Sequence, residues 1–115
     1  MDTTIERGAT SEARAVDLLV RRGYRIVDRN FRCKVGELDI VARDRDVLVF
    51  VEVRSRTDGQ HGHALEMVGH SKRRKVSRVA QSYIAIRRPR FDEARFDVVA
   101  ITGNDIELVQ DAWRL

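Results

Sequence analysis

Apolar positions along the chain follow two periods. From Thr3 to Arg22, Ile5, Ala9, Ala13, Val16, Leu19 and Val20 return at the spacing of one helix face. Thr3 or Thr4 is placed to cap that helix and Gly23 to end it. A short strand is expected around Tyr24–Val27, then a hairpin with strands near Glu37–Ala42 and Val47–Arg54. Ser55–His63, with Gly59 and Gly62, reads as a polar loop. A second helix is expected from near Ser71 to about Arg87, with Lys72, Val76, Val79, Ala80, Tyr83 and Ile84 as its stripe and Pro89 as the breaker behind it. Phe96–Thr102 and Ile106–Gln110, around Gly103-Asn104, form a second hairpin, and Trp113 is expected to pack on the domain. The order α-β-β-β-α-β-β implies an α/β fold, one mixed sheet flanked by helices, in a single domain over residues 1–115.

The first hairpin, GELDIVARDRDVLVFVEVRSR from Gly36 to Arg56, carries charges inside strands that are otherwise apolar. Alternation puts Leu48, Phe50, Glu52 and Arg54 on one face, and Glu37, Asp39 and Val41 together on the partner strand. A turn closing on Asp44 and Val47 sets Asp39 opposite Glu52 and Glu37 opposite Arg54. Opposed residues share a face, with Cβ atoms roughly 5 Å apart, so the four charges converge. Adjacent carboxylates disfavour each other's ionisation unless a cation lies between them. Oxygen ligands at this density suit Mg²⁺ or Mn²⁺. A solvated face with a Glu37–Arg54 ion pair is the plainer alternative. Glu12 lies on or beside the first helix's apolar stripe, either as a third acid reaching the hairpin or as a peripheral glutamate bonded to a base such as Arg14 or Arg32.

Composition narrows the partners. Of the 22 basic residues 19 are Arg, the formal net charge is +4 and the pI is about 9.8, which permits a polyanionic partner. With Cys33 alone no intrachain disulfide forms, and neither a signal peptide nor a membrane span is visible, so a cytoplasmic protein is expected. Between Met67 and Phe91 there is no acid. Lys72, Arg73, Arg74 and Arg78 on the second helix are therefore candidates for phosphate-backbone contacts, against an ordinary solvated face. Lys72, on the apolar stripe, either snorkels or reaches the carboxylates. His61, His63 and His70 read as exposed rather than as a zinc site.

Gly36-Glu37-Leu38-Asp39-Ile40 with Phe50-Val51-Glu52-Val53-Arg54-Ser55-Arg56 resembles the YraN-like family of small bacterial proteins. Gly8, Glu12, Ala15 and Leu19, then Arg29-Asn30 and Arg95-Phe96-Asp97-Val98, fit the same family. The resemblance implies the restriction-endonuclease-like superfamily, with its αβββαβ core, and a similarity to archaeal Holliday-junction resolvases. It implies Asp39 and Glu52 as metal ligands, with the Val53 carbonyl beside them, Glu12 as the helix-1 glutamate and Glu37 as an accessory acid. Arg54 departs from the pattern, since the superfamily's triplet usually ends in lysine. Arginine stays protonated and serves to hold phosphate or stabilise transition-state charge, but is a poor base. Either the Arg-rich composition has drifted there, or cleavage is weakened. The implied function is a Mg²⁺- or Mn²⁺-dependent endonuclease on DNA, branched DNA included, with a homodimer like that of the resolvases left open. The alternatives are an inactive nucleic-acid-binding module on the same fold and a protein-interaction domain with a structural charge cluster.

Overall fold

The computed structural model describes residues 4–56 and 68–115. The readings on Thr3, on the loop beyond Arg56, on His61 and His63, and on the side chains of Ile5 and Ala9 lie outside the described residues. The elements are α1 (Thr4–Arg21), β1 (Arg25–Cys33), β2 (Gly36–Asp44), β3 (Val47–Arg56), α2 (His70–Arg87), β4 (Ala94–Thr102) and β5 (Asp105–Trp113). Gly23, at φ 91, ends α1, where the Tyr24 amide closes back on the Leu19 carbonyl at 2.9 Å.

The five strands lie in chain order, antiparallel except for the β3–β4 pair, which is parallel. A parallel pair needs a crossover, and α2 supplies it. The sheet is thus mixed, with a helix on each face, as the residue order and the implied αβββαβ core require. Leu48 and Phe50 join Val76, Val79, Ala80, Tyr83 and Phe96 in a core beneath α2. Val49 and Val51 join Ala15, Leu19, Ile40, Val99 and Ile101 in a core beneath α1. β3 is apolar on both faces because both faces are covered. Trp113 stacks on Phe96 with centroids 4.6 Å apart and donates its indole N–H to Ser77 Oγ, which anchors the end of β5 to α2.

All five strands run further than their hydrophobic pattern, β5 reaching Trp113 instead of Gln110. β1 extends to Cys33 instead of ending near Val27, because an edge strand tolerates the outward charges of Arg25, Arg29 and Arg32 and a bend at Asn30, whose φ is 55. β3 continues through Ser55 and Arg56, polar residues expected in a loop, because they pair with Ile101 and Thr102 of β4.

Beneath α1, Asp97 is fully buried. Its carboxylate accepts hydrogen bonds from Tyr24 Oη, Arg95 Nε and the Asp111 amide, the last two both at 2.9 Å. Arg95 also reaches Asp44 at 2.7 Å, and Gln110 donates to Tyr24 Oη. Burial and the Asp97 partner raise the Tyr24 phenol to about 12. Removing one partner of a buried ion pair leaves the other charge uncompensated. Arg95→Met is therefore expected to cost about 3–5 kcal/mol, and Tyr24→Phe about 1–3 kcal/mol. Urea unfolding followed by circular dichroism checks both, and equal small losses would show that Asp97 is not the centre of the network.

Candidate active site

The β2–β3 ladder runs from Asp44 opposite Val47 to Ile40 opposite Val51, the register expected from the turn. There the backbone pairing ends. The next residue on β2, Asp39, accepts the Val53 amide on its carboxylate at 2.8 Å, so a side chain continues the ladder. The simple alternation of β2 also slips at this point. Leu38 packs beneath α2 and Ile40 beneath α1, although they are two apart. The strands therefore open at the one place where Asp39 and Glu52 sit side by side.

The opening is a cleft of about 530 Å³. Glu37, Asp39, Glu52, Val53 and Arg54 line it from the strands, and Lys72, Lys75, Val76 and Val79 from α2. Glu52 is 5% exposed. Burial first, then the Asp39 charge, raises its carboxyl to about 7, while Arg54 and Lys72 oppose the rise. Burial also raises Asp39, opposed by the Val53 amide, by a hydrogen bond with Glu52 and by the Arg54 charge. The bond favours a proton on Glu52 and charge on Asp39. Arg54 Nη2 lies 2.8 Å from Glu52 Oε2, and Lys72 Nζ lies 3.7 Å from the same oxygen, an ion-pair distance. Among the described residues Arg54 Nε is buried without a hydrogen-bond partner, a donor for which an acceptor entering the cleft would be the complement.

The other expected site residues divide. Glu12 is bonded to a base, neither Arg14 nor Arg32 but Arg29, with Asn30 Nδ2 donating to the same oxygen. Its charge still raises Asp39. Glu37 lines the cleft, but its ion pair is with Arg32 at 2.8 Å rather than with Arg54, because the β2–β3 ladder has ended and β1 is the nearer strand. Val53 lines the cleft and donates its amide to Asp39. Arg73 turns inward: Nε donates to the Val68 carbonyl, and the guanidinium lies 5.5 Å from the Trp113 ring centre. Arg74 and Arg78 are exposed on α2, and His70 is exposed at its start. Six further residues line the cleft without having been expected there: Arg32, Cys33, Gly36 and Lys75, with Val76 and Val79 expected only as part of the helix stripe. Lys75 follows Lys72 by one helical turn, which is its visible signal. Gly36 has none, yet a Cβ there would meet Val79 Cγ2 at 3.2 Å.

Two adjacent carboxylates, one of them buried, are a donor set that fits a hydrated hard cation, which takes one or two carboxylates and keeps several waters. Among the described residues no three His, Cys, Asp or Glu side chains cluster as a metal cage. Among them, too, no helix is long and apolar enough to cross a membrane.

Comparison with known proteins adds a family. The model of the uncharacterised protein family UPF0102 matches residues 11–101. Similar relatives, each described only as a UPF0102 protein, include one from Syntrophus aciditrophicus, 40% identical and covering 100% of this chain and 94% of its own. Another, from Geobacter metallireducens, is 43% identical over 94% of this chain and 92% of its own. A third, from Syntrophotalea carbinolica, is 48% identical over 88% and 84%.

The buried pair makes the metal-free protein sensitive to pH. Between the ordinary glutamate value of 4.5 and about 7 the folded state holds a proton that the unfolded state has released. Stability therefore falls as pH rises through that window and levels off above it, by a total on the order of 3 kcal/mol. Glu52→Gln is expected to flatten the slope. Urea midpoints at pH 4.5 to 8 in EDTA measure it, and an unchanged slope would place the titration elsewhere.

Proposed function

The chain belongs to the UPF0102 family, and from that premise and the cleft we propose that it is a metal-dependent endonuclease hydrolysing DNA phosphodiesters, with branched DNA among its substrates. The observation that carries this reading is the pairing of Asp39 with buried Glu52 in an open cleft edged by Arg54 and Lys72. A hydrophobic sheet would not keep two carboxylates together for stability, since each raises the other's ionisation cost.

Asp39 and Glu52, with the Val53 carbonyl beside them, would hold Mg²⁺ or Mn²⁺. Such an ion, when bound, polarises the phosphate and makes water acidic enough to attack. The chain's own cations do the rest. The planar guanidinium of Arg54, with its spare Nε, suits a phosphate oxygen. Lys72 reaches the same carboxylate from α2 and supplies the ammonium that the strand triplet lacks, orienting the attacking water and stabilising charge on the phosphate. Water adds to phosphorus, one ester bond breaks and the leaving oxygen takes a proton. Glu12 acts through Arg29 and Asn30 as a positioning residue, and Glu37 and Arg32 edge the entrance. Arg74 and Arg78 contact the backbone without reading sequence.

A second reading is a binding module without cleavage. The permanently charged Arg54 directly on Glu52 favours it, because a guanidinium there competes with a metal.

Cleavage of labelled four-way-junction, duplex and single-stranded DNA in Mg²⁺, Mn²⁺ or EDTA separates the two. Turnover is expected with either metal and none in EDTA, and Glu52→Gln abolishes it. Lys72→Met lowers kcat about 10²–10³-fold while leaving KM nearly unchanged. An unchanged kcat in Lys72→Met removes that residue from the mechanism. Salt-sensitive binding with no turnover under any metal leaves the module.

A further inference from the structure

The end of the sheet opposite the carboxylates holds a second hollow, of about 350 Å³. Arg25, Arg43, Arg45 and Arg90 line it, against only Asp46 and Asp92. Arg25 pairs with Arg43 across β1–β2, and Arg43 with Leu48 across β2–β3, so all three share the sheet face that α2 covers. Arg43 is held by backbone carbonyls, donating Nη1 to that of Asp46 and Nη2 to that of Arg90. Neither bond neutralises its charge. Arg25, Arg45 and Arg90 are exposed around it. Four guanidiniums against two carboxylates leave a formal surplus of two positive charges in one concavity, a costly grouping unless an anion enters it. That every cation is arginine matters, because planar forks suit phosphate oxygens.

The placement relative to the cleft is specific. The hollow's Arg43 and Arg45 stand on either side of Asp44, which is five residues from Asp39, about 17 Å along an extended strand. α2 bridges the two sites, its N-terminal end at the cleft and the chain beyond its C-terminal end at the hollow. Arg74 and Arg78 are exposed on the same helix, and Arg88 stands just past its end. A span of ~17 Å corresponds to about five base pairs of duplex.

We propose that the arginine hollow is a second phosphate-binding site, which grips the backbone of the same polynucleotide about five base pairs from the phosphate in the carboxylate cleft. The proposal deepens the nuclease reading and rests on it for the path of the strand. It makes the substrate an extended polynucleotide laid along α2, rather than a mononucleotide or a dinucleotide end.

The test is binding in EDTA, where cleavage plays no part, at several salt concentrations. The protein is compared with an Arg25→Ser/Arg45→Ser/Arg90→Ser variant, which spares the braced Arg43. Duplexes long enough to span both sites are set beside loop-closed stems of about four base pairs, shorter than the ~5 base pairs between the sites and held paired by the loop. For long duplexes the variant is expected to bind at least tenfold more weakly, with the slope of log affinity against log salt reduced by about 0.9 for each phosphate that is no longer neutralised. Short duplexes are expected to bind both proteins alike. Arg21→Ser/Arg22→Glu, at the end of α1, changes the net charge by the same amount and is expected to leave length dependence intact. If the triple variant does not fold, Arg45→Glu on the exposed turn replaces it, with the same expectations. Unchanged affinity for long duplexes overturns the proposal and leaves the hollow to an acidic protein. Equal losses at both lengths overturn it as well, since they report charge rather than a second site. Failure of the nuclease reading is seen separately, as no metal-dependent turnover alongside an intact length-dependent loss.

Discussion

The parallel pairing of β3 with β4 is the constraint on which the rest of the molecule depends. It runs unbroken from Leu48 opposite Ala94 to Arg56 opposite Thr102. Because the pair is parallel, the chain must cross over between the two strands, and the crossover is α2. Because α2 covers one face and α1 the other, β3 must be apolar on both. Leu48 and Phe50 meet one core, Val49 and Val51 the other. Glu52 is the first residue of β3 to break that rule, and β4 still holds its backbone, opposite Val98. A charged side chain is thus delivered to a rigid position that its own solvation energy would never choose.

Where antiparallel pairing fails, an aspartate takes over. Asp39 accepts the Val53 amide just past the end of the β2–β3 ladder. Asp97 accepts the Asp111 amide at the irregularity between Phe96 and Val98 on β4. Each carboxylate replaces a backbone carbonyl that geometry has moved out of reach, which satisfies a donor that would otherwise be lost. Their surroundings then separate them. Asp97 is sealed beneath α1 with Arg95 and Tyr24, and it holds the sheet together. Asp39 faces an open cleft beside a second carboxylate, and its remaining lone pairs are available to a cation or to water.

Charge is distributed along α2 in the same spirit. Its N-terminal turn puts Lys72 and Lys75 over the cleft. Arg73, one residue on from Lys72, is turned inward onto Trp113 and the Val68 carbonyl. Of the basic run, then, part lines the cleft, part serves the packing, and Arg74 and Arg78 face outward. The two cations on Glu52 come from different elements, Arg54 from β3 and Lys72 from α2. The cleft's electrostatics therefore depend on α2 being docked, and a loosened helix would leave Glu52 with only one of them.

Local patterns determined by themselves the helices, the existence of the hairpins, the register of the first one and the approach of Asp39 to Glu52. Each of these follows from side-chain period and turn length, which act over a few residues. What only the tertiary structure decided lies at the ends of those patterns. The slip of β2 between Leu38 and Ile40, the choice of Arg32 over Arg54 as the partner of Glu37, and the capture of Glu12 by Arg29 and Asn30 depend on which strand lies nearest once the ladder stops. Asp97 was legible as part of a motif but not as the centre of a buried network, because Tyr24 lies 73 residues away in sequence. Lys72, on an apolar stripe, left two readings open in the sequence, snorkelling or reaching the carboxylates, and it lies 3.7 Å from Glu52. Its place beside Glu52 is set by how α2 seats on the sheet, and docking of that kind is decided by the packing of many side chains at once rather than by any local run of residues.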